Sequence, residues 1–244
     1  MIRIALVIAF FLFLANSFGS NSNGKSNSLS YSNFIQTTYG ELKFEGQKPD
    51  IEIYRKGLTG YLNLRKNKRL SDSALLTLID FRLSSNKKRM WIIDLKQHKV
   101  IHHSLVAHGR NTGNEFAENF SDVPNSNSSS LGFYTTAETY YGKHGLSLRL
   151  DGLEKGFNGN ARERAIVIHS AAYVSKGFSK NYGRIGRSLG CPSIPVKGHE
   201  EIINKLANGN CLFIYYPDEE YLQNSQLTNE ITAFEILNET GFLL

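Results

Sequence analysis

The spacing of apolar residues separates a helical front part of the chain from a strand-rich body. Between positions 51 and 62 apolar residues recur every three or four positions, which predicts an amphipathic helix despite two internal glycines. The stripe consists of Ile51, Tyr54, Leu58, Tyr61 and Leu62, and the glycines are Gly57 and Gly60. We expect residues 33–70 to form a short helical N-terminal preface that packs on the main domain.

From Leu75 onward the period shortens, and apolar runs rich in β-branched and aromatic residues alternate with turn residues. This pattern predicts seven strands, at 75–81, 90–95, 100–107, 132–136, 147–150, 165–169 and 212–216. One clear helix is predicted at about 199–207, before a turn at Asn208 and Gly209. The fold is therefore predicted to be mainly β (α+β), with peripheral helices around a main domain at 71–218. The tail at 219–244 shows no pattern that places it.

The first residues have the features of a secretory signal peptide. A positive charge at Arg3 precedes an apolar run from Ile4 to Ala15, and small residues follow. We predict a signal peptide at 1–19 and a flexible linker, rich in Ser, Asn and Gly, at 20–32. The run is short for a bilayer span, so we expect no stable membrane span after signal removal. The protein is then exported to the periplasm or cell envelope; an uncleaved membrane anchor is the alternative.

Composition narrows the classes of partner. The 244 residues, 41% of them hydrophobic, suit one globular domain with a sizeable core. The formal charge of +6 favours polyanions in general, but the basic residues are scattered and no nucleic-acid-binding motif is present. The seven histidines lack the spacing of metal ligands. We therefore expect a monomer that binds no nucleic acid, metal or cofactor.

The segment around Cys191 contains the clearest candidate for chemistry. Gly190 lets a substrate approach the backbone closely, and Pro192 restricts the chain after the thiol. Arg184 and Arg187 lie nearby in sequence and are expected to stabilise the thiolate, which is the nucleophilic form of cysteine. The backbone N–H groups of Gly190 and Cys191 are candidate donors to an oxyanion.

A nucleophilic thiol needs a base, and His169 ends an apolar run that predicts a buried strand. Ser170 is expected to orient the imidazole through its hydroxyl or its carbonyl, as the third member of a cysteine triad. Two alternatives remain open from the residues alone. His169 can be a structural core histidine, and Cys191 can form a disulfide with Cys211, although the apolar setting of Cys211 favours a buried thiol.

These residues resemble a known family. His169 and Ser170, followed by Gly-Arg-Ser-Leu-Gly-Cys-Pro at 186–192, resemble the His…Ser-x-Gly-Cys signature of the L,D-transpeptidase (YkuD-like) catalytic domain, in particular the murein L,D-transpeptidase catalytic domain family. Further blocks that resemble the family are 79–81 (Ile-Asp-Phe), 106–110 (Val-Ala-His-Gly-Arg), 129–134 (Ser-Ser-Leu-Gly-Phe-Tyr) and 145–153 (Gly-Leu-Ser-Leu-Arg-Leu-Asp-Gly-Leu). Together they cover roughly residues 75–216.

The resemblance implies a β-sandwich or barrel catalytic domain that acts on peptidoglycan stem peptides. Cys191 would form a thioester acyl-enzyme, which an amine acceptor turns into a crosslink and water into a carboxypeptidase product. It also implies that carbapenems acylate the thiol. We expect substrate contacts from Arg187, Ser188, Gly190, Arg184, Tyr173 and His108. The rival functions are a non-catalytic wall-binding module of the same fold and a cysteine peptidase that acts on proteins.

Two positions depart from the usual family pattern. Leu189 stands where a histidine is usual between Ser and Gly, and Ser193 stands where an arginine often follows the cysteine. The resemblance implies that the usual residues help to hold substrate or oxyanion. Arg187 or Arg184 is the candidate to take over this role.

Overall fold

The structure is a computed structural model that describes residues 22–240. The predicted signal peptide at 1–19 and the last residues, 241–244, lie outside the described residues. The helices are α1 (Ser22–Glu41), α2 (Ile51–Lys66), α3 (Lys176–Tyr182), α4 (His199–Leu206), α5 (Glu219–Asn224) and α6 (Glu230–Thr240), with a 3-10 turn at Gln226–Thr228. The strands are β1 (Leu75–Asp80), β2 (Met90–Asp94), β3 (Lys99–Ser104), β4 (Gly132–Gly142), β5 (Gly145–Gly152), β6 (Val167–Ser170), β7 (Ser193–Ile194) and β8 (Cys211–Tyr215).

The eight strands form one curved sheet in the order β3-β2-β1-β8-β4-β5-β6-β7. The β1–β8 and β6–β7 pairs are parallel, and the other neighbours are antiparallel. An isolated antiparallel bridge joins Ala107, just after β3, to Ser193 on β7. Because this bridge connects the two ends of the strand order, the sheet is a nearly closed, barrel-like structure. The mainly β fold is thus confirmed, and each of the seven predicted strands is present.

The hydrophobic core lies between the sheet and α2. Asp50 begins this helix by accepting a hydrogen bond from the Glu52 N–H at 2.9 Å. A Cβ at Gly57 would lie 2.3 Å from Leu78 Cδ2, and one at Gly60 would lie 2.0 Å from the Phe133 ring. The two glycines therefore do not interrupt the helix; they let it pack closely against β1 and β4.

Two segments differ from what the sequence predicted or left open. Helix α1 begins at Ser22, within the segment 20–32 that the sequence predicted to be a flexible linker. Tyr31 and Ile35 of this helix are buried in the core, and that packing outweighs a composition typical of linkers. The tail forms α5 and α6, and the Asn63 side-chain amide of α2 donates to the Leu227 carbonyl at 2.9 Å. Within residues 22–240 no helix has the length and apolar character needed to cross a bilayer.

Candidate active site

The site lies at the β6–β7 edge, beside the bridge that nearly closes the sheet. His169 on β6 is opposite Ser193 on β7, and Cys191 lies two residues before Ser193. The loop that leads to Cys191 is held at its centre, because the Ser188 N–H donates to His108 O at 3.0 Å and Arg110 N–H donates to Ser188 O at 2.8 Å. Backbone pairing thus brings the sequence-distant thiol and imidazole to the same edge.

A tight turn immediately precedes the thiol. The Ser188 hydroxyl donates to Cys191 O at 2.6 Å and accepts from the Gly190 N–H at 3.1 Å. The Ser129 hydroxyl donates to Gly190 O at 3.1 Å, and Gly190 has a φ of +125°, which favours glycine. Because the Gly190 N–H is bonded to Ser188, the Cys191 N–H is the remaining candidate among the two predicted oxyanion donors.

An open cavity of about 450 Å³ borders the thiol. Cys191 is half-buried in its wall, and His169 is buried with its ring at the surface of the cavity. The lining residues include no aspartate or glutamate. They are Tyr140, Lys143, His144, Arg164, Ala165, Val167, His169, Tyr173, Arg187, Ser188, Leu189 and Cys191. The space suits a ligand that carries negative charge.

Contacts on both ring nitrogens hold the imidazole of His169. Nδ1 lies 3.0 Å from Ser170 O, and Nε2 lies 2.9 Å from Ser193 Oγ. The ring of His144 stacks on that of His169, with centroids 4.2 Å apart and an interplanar angle of 20°. Ser170 thus contacts the imidazole through its carbonyl and not through its hydroxyl.

The electrostatics of the site favour an uncharged thiol and imidazole at rest. Burial raises the pKa of Cys191, against an opposing hydrogen bond from the Val167 amide and the positive charges of Arg164 and Lys143. Burial lowers the pKa of His169; the hydrogen bond with Ser170 opposes this, and His144 and Lys143 add to it. Arg164 and Lys143 therefore favour the thiolate, and a contribution of Arg184 and Arg187 stays a prediction.

The sequence profile described as "L,D-transpeptidase catalytic domain" matches residues 45–215, which is more than half of the chain. The chain belongs to this L,D-transpeptidase family. The family resemblance drawn from the sequence is thereby confirmed. The match begins before β1 and includes α2, in agreement with the shared core of helix and sheet.

The chain was also compared with solved structures and with curated proteins. An L,D-transpeptidase from Mycobacterium smegmatis is 12% identical to this chain, covers 59% of each chain and has a TM-score of 0.37. The LD transpeptidase LdtMt1 in complex with imipenem is also 12% identical, covers 59% of each chain and has a TM-score of 0.36. The chain thus spans less than two thirds of either structure. A search of curated proteins gave no match.

Several residues predicted to contact substrate in this L,D-transpeptidase domain line the cavity. Tyr173 and Ser188 form part of the wall. Leu189, which was not among the predicted contacts, also lines it and is 58% exposed where the family usually has a histidine. Arg187 also lines the cavity, but its Nη1 is bonded to Arg110 O, Gly113 O and the Asn114 side chain at 2.9–3.0 Å. Arg187 therefore both faces the cavity and fixes the neighbouring loop.

Two other predicted residues lie away from the cavity wall. Arg184 donates from Nη1 to Ile185 O at 2.8 Å and is not among the lining residues. His108 is buried, and its Nδ1 accepts from the fully buried Arg89 at 2.8 Å. Burial and the charge of Arg89 lower the pKa of His108 to about 3. His108 is therefore a neutral structural histidine that supports the loop beneath Arg187.

Several lining residues were not predicted from the sequence. Tyr140, Lys143 and His144 come from the β4–β5 hairpin, which folds over His169. Arg164 is almost fully buried and donates to Ser121 O at 2.8 Å and Ser128 O at 2.6 Å. No motif marks these residues, because their place depends on how far the hairpin extends. The turn between Gly142 and Gly145 was the one feature of the sequence from which this hairpin could have been predicted.

The remaining predictions concern disulfides and metals. Cys191 and Cys211 are both free thiols, and Cys211 is buried in β8. The two cysteines are therefore not joined in this structure. Among residues 22–240, no three side chains of His, Cys, Asp or Glu converge as a metal site.

Proposed function

We propose that this chain catalyses cysteine-dependent acyl transfer on peptidoglycan stem peptides, with Cys191 as nucleophile and His169 as general base. The observation that carries the proposal is that the Cys191 thiol and the His169 imidazole line one open cavity. Membership of the L,D-transpeptidase family supports transpeptidase-type work on peptidoglycan. Family members act on the cell wall, which supports the predicted export to the periplasm or cell envelope.

The proposed reaction has two halves that share one intermediate. His169 Nε2 removes the proton of the Cys191 thiol, and the sulfur attacks a peptide carbonyl while the Cys191 N–H donates to the oxyanion. The carbonyl re-forms, the C–N bond breaks, and the leaving amine takes the proton from the imidazolium. An amine acceptor or water then attacks the thioester, so the same site serves transpeptidation and carboxypeptidase activity.

The charge of the cavity supports a donor that carries carboxylates. Lys143 and Arg187 line the space, whereas the charge of Arg164 is partly offset by a buried salt bridge with Asp122 at 3.4 Å. Stem peptides of peptidoglycan present free carboxylates next to the bonds that L,D-transpeptidases cut. We propose that Lys143 and the free edge of the Arg187 guanidinium attract this part of the donor.

Mass spectrometry of muropeptides incubated with purified protein tests the proposal. The wild type should remove a terminal D-residue from tetrapeptides and form either crosslinked or shortened products. Cys191→Ala should form neither, and Cys211→Ser is the matched control because its thiol is buried away from the cavity. Processing of casein with muropeptides left intact would favour the protein-peptidase rival. Binding of muropeptides without turnover by the wild type would favour the wall-binding rival.

A further inference from the structure

Ser193 occupies a central position that the proposed reaction does not explain. It lies on β7 opposite His169, where the family often has an arginine, and its side chain is fully buried. Ser193 Oγ lies 2.9 Å from His169 Nε2 and 3.0 Å from Tyr173 Oη. Tyr173 lines the cavity, so a chain of three polar groups runs from the cavity wall to the imidazole.

The direction of each hydrogen bond in this chain follows from one carbonyl. Ser170 O can only accept, so Nδ1 of His169 carries the proton in the contact of 3.0 Å. A neutral imidazole has a single N–H, and Nε2 therefore accepts from the Ser193 hydroxyl. Ser193 Oγ in turn accepts from Tyr173, whose pKa is raised by burial, so the phenol keeps its proton.

We propose that Ser193 and Tyr173 are a positioning pair that holds Nε2 of His169 as the basic atom and reverses its hydrogen bonds when that atom is protonated. The role rests on the proposed function of Cys191 and His169. In the proton transfer the S–H bond breaks, an N–H bond forms at Nε2, and the electron pair stays on sulfur. Before this transfer the Ser193 hydroxyl turns its proton from Nε2 to Tyr173 Oη, and the Tyr173 hydroxyl turns its own proton away, so that the Nε2 lone pair is free. The new N–H then donates to Ser193 Oγ.

Hydroxyls suit this reversal because each can both donate and accept. The arginine often found at this position only donates, and therefore cannot accept from a protonated Nε2. Alanine can do neither. The serine at position 193 is thus a change that allows one buried contact to serve both protonation states of the base.

The other groups around the imidazole fix the expected response to pH. His144 stacks on the ring, Lys143 adds positive charge from the same hairpin, and the Cys191 thiol shares the cavity. On β5 the opposing residue is the uncharged Ser147, whose hydroxyl donates to Gly145 O. The hydroxyl of Ser193 bonds the imidazole in both protonation states, and its bond with the charged form is the stronger of the two. Its removal should therefore lower the pKa of His169 further.

The test is long-range proton–nitrogen NMR of the full chain labelled with 15N-histidine, with His169 assigned through His169→Gln. The wild type should show the Nδ1–H tautomer. In Ser193→Ala we expect a mixture of tautomers, a lower pKa for His169, and acylation of Cys191 by a carbapenem slowed about 5- to 10-fold. Tyr173→Phe should change the tautomer ratio, the pKa of His169 and the acylation rate in the same directions but by smaller amounts. The double variant should match Ser193→Ala, because the pair acts as one unit.

Three results would overturn the proposal. These are an Nε2–H tautomer in the wild type, unchanged tautomer and acylation in Ser193→Ala, and strictly additive effects in the double variant. If Ser193→Ala does not fold, Tyr173→Phe gives the same NMR and rate readouts with its ring retained. The NMR readout requires no turnover of wall peptides. A normal NMR response without muropeptide processing would therefore support the pair and reject the proposed function.

Discussion

Substitution of Gly190 by alanine should disturb the turn that presents the Cys191 thiol. Gly190 has a φ of +125°, and an added Cβ would lie 2.8 Å from Ser128 O, 3.2 Å from Ile166 Cδ1 and 3.3 Å from Arg164 Nη2. The Ser128 oxygen belongs to the backbone and cannot rotate away. Relief of this contact therefore requires a shift of either the thiol loop or the segment that holds Arg164.

The expected cost combines two effects. A non-glycine residue in this backbone region costs about 1–3 kcal/mol, and overpacking of a filled site costs a further ~1–3 kcal/mol. The alanine also restricts the unfolded chain, which returns about 0.4–1 kcal/mol. We expect a net loss of about 2–4 kcal/mol in the free energy of unfolding. A thiol displaced by about 1 Å should also acylate about 10²-fold more slowly.

Urea unfolding gives the stability, because Trp91 is the single tryptophan and is buried on β2. Intact-protein mass spectrometry with a carbapenem gives the acylation rate. Gly177→Ala is the matched control: Gly177 lies in α3 with nothing within 4 Å of an added Cβ, so that variant should be neutral or slightly more stable. If Gly190→Ala unfolds within about 0.5 kcal/mol of the wild type and acylates at a similar rate, the turn is not constrained as described.

Further predictions concern the thiol, the base and the charge beside them. Intact-mass measurement should show one carbapenem adduct on the wild type and on Cys211→Ser but none on Cys191→Ala; an adduct on the last would move the nucleophile elsewhere. His169→Ala should lower the acylation rate by about 10²–10⁴ in a protein that still folds, although the lost buried hydrogen bonds cost about 1–3 kcal/mol of stability; a variant that simply unfolds would indicate a structural histidine. The neutral imidazole is the base, so the rate falls as pH drops through the pKa of His169, which lies below the usual value for histidine. Lys143→Gln removes a charge that lowers this pKa, so the acid limb of the pH–rate profile should move to higher pH; an unmoved limb would mean that Lys143 does not act on the base.

Local sequence pattern was sufficient to predict an element where the burial of its side chains follows the period of that element. Each of the seven predicted strands is present, and the clearest, β1 and β8, bury every residue and therefore form near-continuous apolar runs in the sequence. The His and Gly-Cys motif was sufficient to identify the family and the candidate nucleophile from the sequence alone. The short β7 was missed, because two residues have no period and their pairing partners lie on β6.

Tertiary contacts decided the remaining features of the site. The composition around Ser22 is typical of a linker, yet the segment belongs to α1, and Tyr31 and Ile35 of this helix are buried in the core. His108 and His144 are both single histidines outside any metal-binding motif, so the sequence alone does not distinguish their roles. The first is bonded to a buried arginine, and the second stacks on the candidate base.

The sequence by itself determined seven of the eight strands, the family and the candidate thiol and imidazole, since these depend on residue type and on spacing along one segment. Only the tertiary structure decided which charges reach Cys191 and which group bonds His169 Nε2. Lys143 and Arg164 affect the thiol, and Ser193 bonds the imidazole, because sheet pairing and loop packing bring together residues that are distant in sequence. Coulombic and hydrogen-bond energies depend on distance in space, which the order of residues alone does not specify.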